Sequence, residues 1–188
     1  MILKTKRLIL RPLRKSDIND LVENANNLNV SQYLGTVKFP YARKDADEFI
    51  NLCSKKLKSK SCDDYSFGIK IRSIKKIVGV LSLSSVDRYN GTASLGYWLG
   101  ENYWRQGIMS ESVKTIIDFG FDTLKLRRIN VSTFTPNKGS NALIKKIGFK
   151  KEGVRRKYFK TKSTGKIYDD NFYGLLKEVW IKHNRKLK

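Results

Sequence analysis

The chain has 188 residues, of which 39 are Lys or Arg and 17 are Asp or Glu, so its formal net charge is +22. Hydrophobic residues make up 40% and aromatic residues 11%, which excludes an intrinsically disordered chain and predicts a single domain over residues 1–188 with one continuous core. No run approaches the about 20 apolar residues of a membrane-spanning helix and no apolar signal segment is visible, so we predict a cytoplasmic protein with no membrane partner.

The first third of the chain predicts one short strand and two amphipathic helices. Basic and apolar residues alternate over residues 7–13, which predicts a strand whose proline marks its end or a sheet edge. A helix is predicted over residues 16–27, with two N-cap candidates at its start, and a second helix over residues 43–58. Residues 26–35 are polar and predict a loop or a short turn.

The middle of the chain changes to a period of two, which is typical of strands. Strands are predicted over residues 65–72, 77–83 and 92–100. A short turn separates the first two strands, and Asn90-Gly91, a strong hairpin signal, precedes the third. These strands are therefore predicted to pair antiparallel.

The stretch after the third strand carries the first chemical signal. From Met109 onward, apolar residues follow helical spacing to about Leu126. The turn that joins this strand to this helix contains Gly107, and such a turn presents unpaired backbone N–H groups at the positive end of the helix dipole. Phosphate is the usual ligand there, although an ordinary tight connection has the same glycine. Four neighbours favour the anion site: Arg105, Gln106, Ser110 and Glu111.

The last third of the chain predicts a parallel joint within the sheet. A β-branched strand over residues 128–134 follows a strand and a helix, so it is predicted to pair parallel to residues 95–100 through a right-handed crossover. A short helix over residues 138–147 and strands over residues 149–159 and 167–176 complete a mixed α/β domain. The final strand is expected to leave an exposed edge that a second copy could use, so both a monomer and a homodimer remain open.

Five segments, in order, carry a resemblance to a known family. They are RLILRPL at residues 7–13, GYWLG at 96–100, YWRQGIMSE at 103–111, PNKGSN at 136–141 and KIGFKKEGV at 146–154. The chain resembles the GNAT superfamily of N-acetyltransferases, and within it the branch of ribosomal-protein alanine and serine N-terminal acetyltransferases. The resemblance implies the GNAT acyl-CoA N-acyltransferase fold: a central mixed sheet, mostly antiparallel, with one splayed parallel strand pair and about four flanking helices. It also implies acetyl-CoA as co-substrate.

The resemblance implies where coenzyme A binds. Backbone N–H groups from about Gln106 to Ser110 hold its diphosphate, which agrees with the anion site predicted from the turn itself. The pantetheine arm lies between the diverging strand ends at Leu99 and Phe134, and Asn137 steadies it. The cofactor-binding residues implied are Leu99, Arg105, Gln106, Gly107, Ile108, Met109, Ser110, Asn137, Ser140 and Lys145. The family usually has a small residue where this chain has Arg105.

The reaction implied is direct attack of an amine on the acetyl thioester. Many relatives have a tyrosine acid where this chain has Ile144, so Ser140 is the candidate that protonates the leaving thiolate. Backbone N–H groups near Leu99 and Gly100 are expected to polarise the carbonyl. Glu101, one residue past the strand end, is the candidate base, and its alternative is a solvated loop glutamate. Weaker base candidates are Tyr65, Tyr97, Asp169 and Asp170.

The chemistry of proton removal favours one acceptor class. An α-amino group with a pKa of about 8 is about one-tenth neutral at pH 7, whereas a lysine with a pKa of about 10.4 is neutral about once in 2,500. A weak base therefore suffices for a protein N-terminus, the acceptor that we predict. A polyamine or aminoglycoside is the alternative acceptor.

A different class of function is a basic RNA-binding or ribosome-binding protein on the same scaffold. The net charge and the aromatic residues within residues 155–160 favour it. The two cysteines, Cys53 and Cys62, form no zinc-type cluster with the single histidine, so no metal cofactor is predicted.

Overall fold

The structure, a computed structural model, describes residues 1–59 and 61–185. The predicted domain of residues 1–188 thus includes residue 60 and residues 186–188, which lie outside the described part. Eight strands form one sheet in the order β1-β2-β3-β4-β5-β6-β8-β7. They are β1 (Leu3–Lys4), β2 (Leu8–Arg11), β3 (Tyr65–Ile71), β4 (Ile77–Asp87), β5 (Thr92–Leu99), β6 (Arg128–Phe134), β7 (Lys150–Lys160) and β8 (Ile167–Leu176).

The described residues form six helices rather than the four predicted. They are α1 (Ile18–Ala25), α2 (Leu28–Ser31), α3 (Arg43–Lys58), α4 (Ile108–Asp118), α5 (Lys138–Ile147) and α6 (Lys177–Arg185). The short α2 lies in the segment predicted as a loop or turn, and α6 was not predicted. The helix predicted to end near Leu126 ends at Asp118 and continues as one π turn to Thr123.

All neighbouring strands pair antiparallel except β5 and β6, which pair parallel. Helix α4 makes the crossover between these two strands, because a parallel connection must return the chain to the starting end of the sheet. The predicted fold class, a mixed and mostly antiparallel sheet with one parallel pair, is confirmed.

The core lies on both faces of the sheet because successive side chains of a strand alternate between faces. In β4, Leu81 and Leu83 belong to the larger cluster, which includes the inward residues of α4 and α5. Val80 belongs to the smaller cluster, with Leu21 of α1 and Ile50 of α3. Separate apolar clusters therefore hold α4 and α5 on one face of the sheet and α1 and α3 on the other.

The prediction that residues 167–176 form an exposed edge is wrong. Strand β8 lies between β6 and β7, so β7 is the outer strand at that end of the sheet. The side chains explain this order. Tyr173 and Leu175 of β8 are buried, whereas β7 is exposed along almost its whole length and rich in Lys and Arg. Charged side chains suit a strand whose edge must stay unpaired in water.

Within the described residues, no helix combines the length and apolar character that crossing a bilayer requires.

Candidate active site

The parallel strands β5 and β6 separate toward their carboxyl ends. Their paired register ends at Leu95 opposite Val131. Beyond this point β5 stays bonded to β4 as far as Leu99, and β6 stays bonded to β8 as far as Phe134. Each strand therefore keeps its outer neighbour while a gap opens between the two. This is the end of the sheet at which ligands bind in parallel arrangements.

One backbone amide at the end of β5 points into this gap. The N–H of Gly100 donates to the carbonyl oxygen of Val78 at 2.8 Å, on the β4 side. Because successive N–H groups of a strand point to opposite sides, the N–H of Leu99 points toward β6. The Trp104 indole N–H donates to the Leu99 carbonyl oxygen at 2.8 Å and anchors this strand end. The expectation of a carbonyl-polarising donor therefore fits Leu99 and is wrong for Gly100, whose N–H already has a partner.

The turn before α4 presents a row of free amides. Six consecutive backbone N–H groups, from Arg105 to Ser110, donate to no acceptor within residues 1–59 and 61–185; the N–H of Glu111 is the first to bond, to the Gly107 carbonyl oxygen at 3.0 Å. Gly107 has a φ of 76° and Arg105 a φ of 58°. Both angles are in the left-handed region that disfavours a side chain, which explains why a small residue suits the position of Arg105.

The side chains of the predicted diphosphate turn divide between the core and solvent. Ile108 and Met109 are buried, so only their backbone amides are available at the turn. Arg105 and Gln106 are exposed, and the Gln106 amide donates to the Asn102 carbonyl oxygen at 2.8 Å. Lys145 is exposed on α5. The turn thus offers amides from its backbone and one flexible cation from Arg105.

Glu101 is held by two side-chain amides. Asn27 Nδ2 donates to Oε2 at 2.7 Å and Asn29 Nδ2 donates to Oε1 at 2.9 Å. Both asparagines belong to the segment around α2, so this carboxylate joins that segment to the end of β5. Glu101 is therefore a hydrogen-bonded loop glutamate, and its role as the base stays a prediction. Each carboxylate oxygen can accept a further hydrogen bond, so the group retains the capacity to act as a base.

Ser140 is joined to Tyr97 across the gap. The Ser140 Oγ and the Tyr97 hydroxyl lie 2.7 Å apart. Burial raises the pKa of Tyr97, against the effect of the Ser140 hydrogen bond, so the phenol stays protonated and can donate. Asn137 caps α5 by accepting the Ser140 N–H at 3.1 Å. The sequence singled out Tyr97 only as a weak base candidate, and this hydrogen-bonded pair was not predicted.

Asn141 is a structural residue that the sequence did not identify. Its Oδ1 accepts hydrogen bonds from Thr133 Oγ1 (2.7 Å), Asn171 Nδ2 (2.8 Å) and the Tyr173 hydroxyl (2.7 Å). Its Nδ2 donates to the Phe134 carbonyl oxygen at 2.9 Å. This side chain therefore ties α5, and with it Ser140, to β6 and β8. The sequence around Asn141 shows only that it follows the start of a predicted helix. It does not indicate that Thr133, Asn171 and Tyr173 would be its partners.

A cluster of aromatic side chains joins the end of β6 to the β7–β8 hairpin. The Phe134 ring lies 5.3 Å from that of Tyr168 and 5.5 Å from that of Phe159. Tyr33, after α2, lies 6.2 Å from Tyr168. A Cβ on Gly35 would meet the Phe159 ring at 2.1 Å, so the loop after α2 packs directly onto this cluster. These contacts close the α2 segment over the β7–β8 hairpin.

The acidic residues of β8 are largely engaged within the hairpin. Asp170 is 1% exposed and pairs with Arg155, whose Nε lies 3.0 Å from Oδ2. Its other oxygen, Oδ1, is buried with no hydrogen-bond partner in the described part of the chain. Asp169 accepts the Lys157 backbone N–H at 2.8 Å. Arg155 also stacks over Tyr158 at 3.8 Å.

These contacts weaken the interpretation of residues 155–160 as an RNA-binding strip. Arg155 is paired with a buried carboxylate and Phe159 is packed against Phe134, so neither side chain is free to contact a base. Tyr158 is exposed, but one face of its ring is covered by the Arg155 guanidinium.

Among residues 1–59 and 61–185, no group of three or more His, Cys, Asp or Glu side chains is arranged to hold a metal ion.

Comparisons with known proteins agree on one family. Residues 7–150 match the family described as "Acetyltransferase (GNAT) domain". The chain is 32% identical to "Uncharacterized N-acetyltransferase YoaA" of Bacillus subtilis (strain 168), over 94% of this chain and 97% of that protein. It is 31% identical to "Ribosomal-protein-serine acetyltransferase" of Escherichia coli (strain K12), over 52% of this chain and 54% of that protein.

A solved structure shares the fold across nearly the whole chain. The "Microcin C7 self immunity acetyltransferase MccE in complex with Acetyl-CoA and AMP" superposes with a TM-score of 0.79 at 27% identity, covering 92% of this chain and 93% of the other.

Proposed function

The chain belongs to the GNAT family of N-acetyltransferases, and on that premise we propose that its acceptor is the α-amino group of a protein N-terminus. As a member of this family, the enzyme transfers an acetyl group from acetyl-CoA to an amine. The partial similarity to a ribosomal-protein-serine acetyltransferase supports an N-terminal acceptor and makes a ribosomal protein the first candidate.

The observation that carries this proposal is the hydrogen bonding of Glu101. Asn27 and Asn29 donate to its two oxygens, which holds one carboxylate at the end of β5 as the candidate base. Such a base is adequate for an α-amino group, of which about one-tenth is already neutral at pH 7. A lysine side chain, which is neutral about once in 2,500 at pH 7, demands far more of a single carboxylate.

The positive charge of the β7–β8 hairpin also favours a peptide acceptor over a polycation. The β7–β8 hairpin carries many Lys and Arg side chains on its outer strand, and these repel a polyamine or an aminoglycoside. The net charge of +22 also supports contact with an anionic surface such as the ribosome, for which the salt dependence of RNA affinity is the measurement.

Acetyl-CoA is proposed to bind across the gap between β5 and β6. The free amides from Arg105 to Ser110 hold the diphosphate, with the exposed Arg105 and Lys145 near the adenosine phosphates. Asn137 uses Oδ1 to cap α5, which leaves its amide group for the pantetheine arm. Of the cofactor-binding residues implied by the resemblance, Ile108 and Met109 contribute backbone amides alone, because their side chains are in the core.

The catalytic groups are proposed to act in one direct transfer. The Leu99 N–H stabilises the oxyanion as the amine nitrogen attacks the carbonyl carbon. Glu101 removes the proton that the amine loses, directly or through water. The carbon–sulfur bond then breaks, and the thiolate takes a proton from Ser140 Oγ, which the Tyr97 hydroxyl replaces through their 2.7 Å contact. One proton leaves the amine for Glu101 and one reaches the sulfur; solvent water then takes the proton from Glu101 and returns one to Tyr97, so the transfer balances and both groups are reset.

A panel of acceptors tests the acceptor class. The enzyme is incubated with acetyl-CoA and one of four amines: a lysine-free peptide with a free N-terminus, an N-terminally blocked peptide with one lysine, spermidine, or an aminoglycoside. Thiol release gives the rate, and the mass of the product gives the site. We expect the free N-terminus to react fastest. Faster acetylation of spermidine or of the lysine peptide would refute the proposed acceptor.

The variant Glu101→Gln tests the base. It keeps an oxygen for Asn29 or Asn27 but removes the proton acceptor, so kcat/KM for the peptide should fall most at acidic pH, where fewer amines are neutral. The matched control is Glu48→Gln, an exposed carboxylate on α3. An unchanged pH–rate profile in Glu101→Gln would remove this residue from the mechanism.

A further inference from the structure

The turn between β1 and β2 is attached to the amide turn that precedes α4. Arg7 Nη1 donates to the Gln106 carbonyl oxygen at 3.1 Å. Its Nε and Nη2 both lie 2.7 Å from Glu111 Oε2. Thr5 adds a hydrogen bond from its hydroxyl to the other oxygen of Glu111. These contacts join residues about 100 positions apart in the chain.

Glu111 places a negative charge beside the proposed diphosphate turn. It lies in the first turn of α4, where an acid stabilises the helix through its dipole. Burial acts to raise the pKa of Glu111, but hydrogen bonds from Thr5 and Arg7 outweigh it and lower that pKa. The residue is therefore ionised at neutral pH. An uncompensated carboxylate at this point would repel the two negative charges of a diphosphate.

Arg7 also sets the direction of one amide of the turn. In a trans peptide, the C=O of one residue and the N–H of the next point in opposite directions. By holding the Gln106 carbonyl, Arg7 keeps the Gly107 N–H turned away from itself and toward the open side of the turn. A Cβ on Gly107 would lie 3.4 Å from Arg7 Nη2, so the guanidinium is in contact with this backbone.

We propose that Arg7 is a positioning residue for the diphosphate of acetyl-CoA: it neutralises Glu111 and fixes the Gln106–Gly107 peptide. The inference rests on the proposed diphosphate site. The Arg7 side chain is 51% exposed and that of Glu111 is 23% exposed, so the pair borders solvent beside the proposed diphosphate turn. As a surface ion pair, it would contribute only about 0–1 kcal/mol to stability, so its proposed role is in binding the coenzyme.

A double-mutant cycle on coenzyme affinity tests the proposal. Arg7→Gln, Glu111→Gln and the double variant are titrated with coenzyme A by calorimetry, and KM is measured for acetyl-CoA. We expect Arg7→Gln to bind coenzyme A about tenfold more weakly, which corresponds to about 1.4 kcal/mol. Glu111→Gln should bind at least as tightly as the parent protein. The double variant should recover at least threefold over Arg7→Gln, because the repelling charge is gone.

S-acetylpantetheine separates the proposed role from a structural one. This substrate lacks the diphosphate, so Arg7→Gln should leave its kcat/KM unchanged. An equal loss with both acyl donors, or a double variant that binds no better than Arg7→Gln, would overturn the proposal. Lys76→Gln, which breaks the exposed pair with Glu23, is the matched control. Parent protein that binds coenzyme A no more tightly than pantetheine would instead refute the diphosphate site itself.

Discussion

The side chain of Asn141 offers the sharpest test of how the site is assembled. In the variant Asn141→Leu, three donors lose their acceptor: the hydroxyls of Thr133 and Tyr173 and the amide of Asn171. All three of these residues are at most 5% exposed. The carbonyl oxygens of Phe134 and Asn137 also lose a donor, but each keeps a backbone partner.

The expected loss follows from these unpaired groups. A buried polar group without a partner costs about 1–3 kcal/mol, so three such groups set a range of about 3–9 kcal/mol. The lower part of this range is expected, because the hydroxyls rotate toward other acceptors and neighbouring effects do not add fully. We therefore expect the free energy of unfolding to fall by about 3–5 kcal/mol, and Tm to fall by about 2–4 °C for each kcal/mol.

Denaturant unfolding of Asn141→Leu and the parent protein measures this loss. The matched control is Asn51→Leu, because Asn51 lies exposed on α3 and donates only to Asp47. Since Asn141 ties α5 to β6 and β8, activity of the folded variant should fall with its stability through displacement of Ser140. A destabilisation below about 1 kcal/mol, or a control that loses as much, would refute the assignment of Asn141 as the anchor of this helix.

Three further outcomes are expected. Tyr97→Phe removes the partner of Ser140 Oγ and should lower kcat about tenfold, or about 1.4 kcal/mol, with KM for acetyl-CoA unchanged; an unaltered kcat would contradict the relay. Gly107→Val forces a β-branched side chain into a left-handed conformation that costs about 1–2 kcal/mol, so KM for acetyl-CoA should rise more than in Gly107→Ala. Burial raises the pKa of Tyr41 from 10.0 to about 12. The protonated phenol therefore contributes its full stability below pH 10, and this contribution is lost as pH rises toward about 12. In Tyr41→Phe, the free energy of unfolding should decline less over that range than in the parent protein.

Local signals in the sequence predicted most of the elements. The Asn90-Gly91 hairpin, the strand β6 and the helix α5 lie where the pattern indicated, because periodicity and turn residues act over a few positions. The short helix α2 was missed because its four residues are too few to show a helical period. The prediction that β8 is the edge strand failed because the β7–β8 hairpin is compatible with two strand orders, β6-β7-β8 and β6-β8-β7. Only the packing of the folded chain selects the second order.

At the site, too, local features were predictable from the sequence and distant contacts were not. The row of free amides was expected from the turn and the helix that follows it, whereas the left-handed φ at Gly107 was seen only in the structure. The partners of Glu101 were not, because Asn27 and Asn29 lie more than 70 positions away in a segment with no strong pattern of its own.

By itself, the order of residues determined the class of fold and the position of the turn with free amides, since both depend on interactions among near neighbours in the chain. Only the folded structure decided which side chains meet: Tyr97 with Ser140 across 43 positions, and Arg7 with Glu111 across 104. Such contacts depend on how strands and helices pack, and a local pattern of polar and apolar residues contains no information about distant partners.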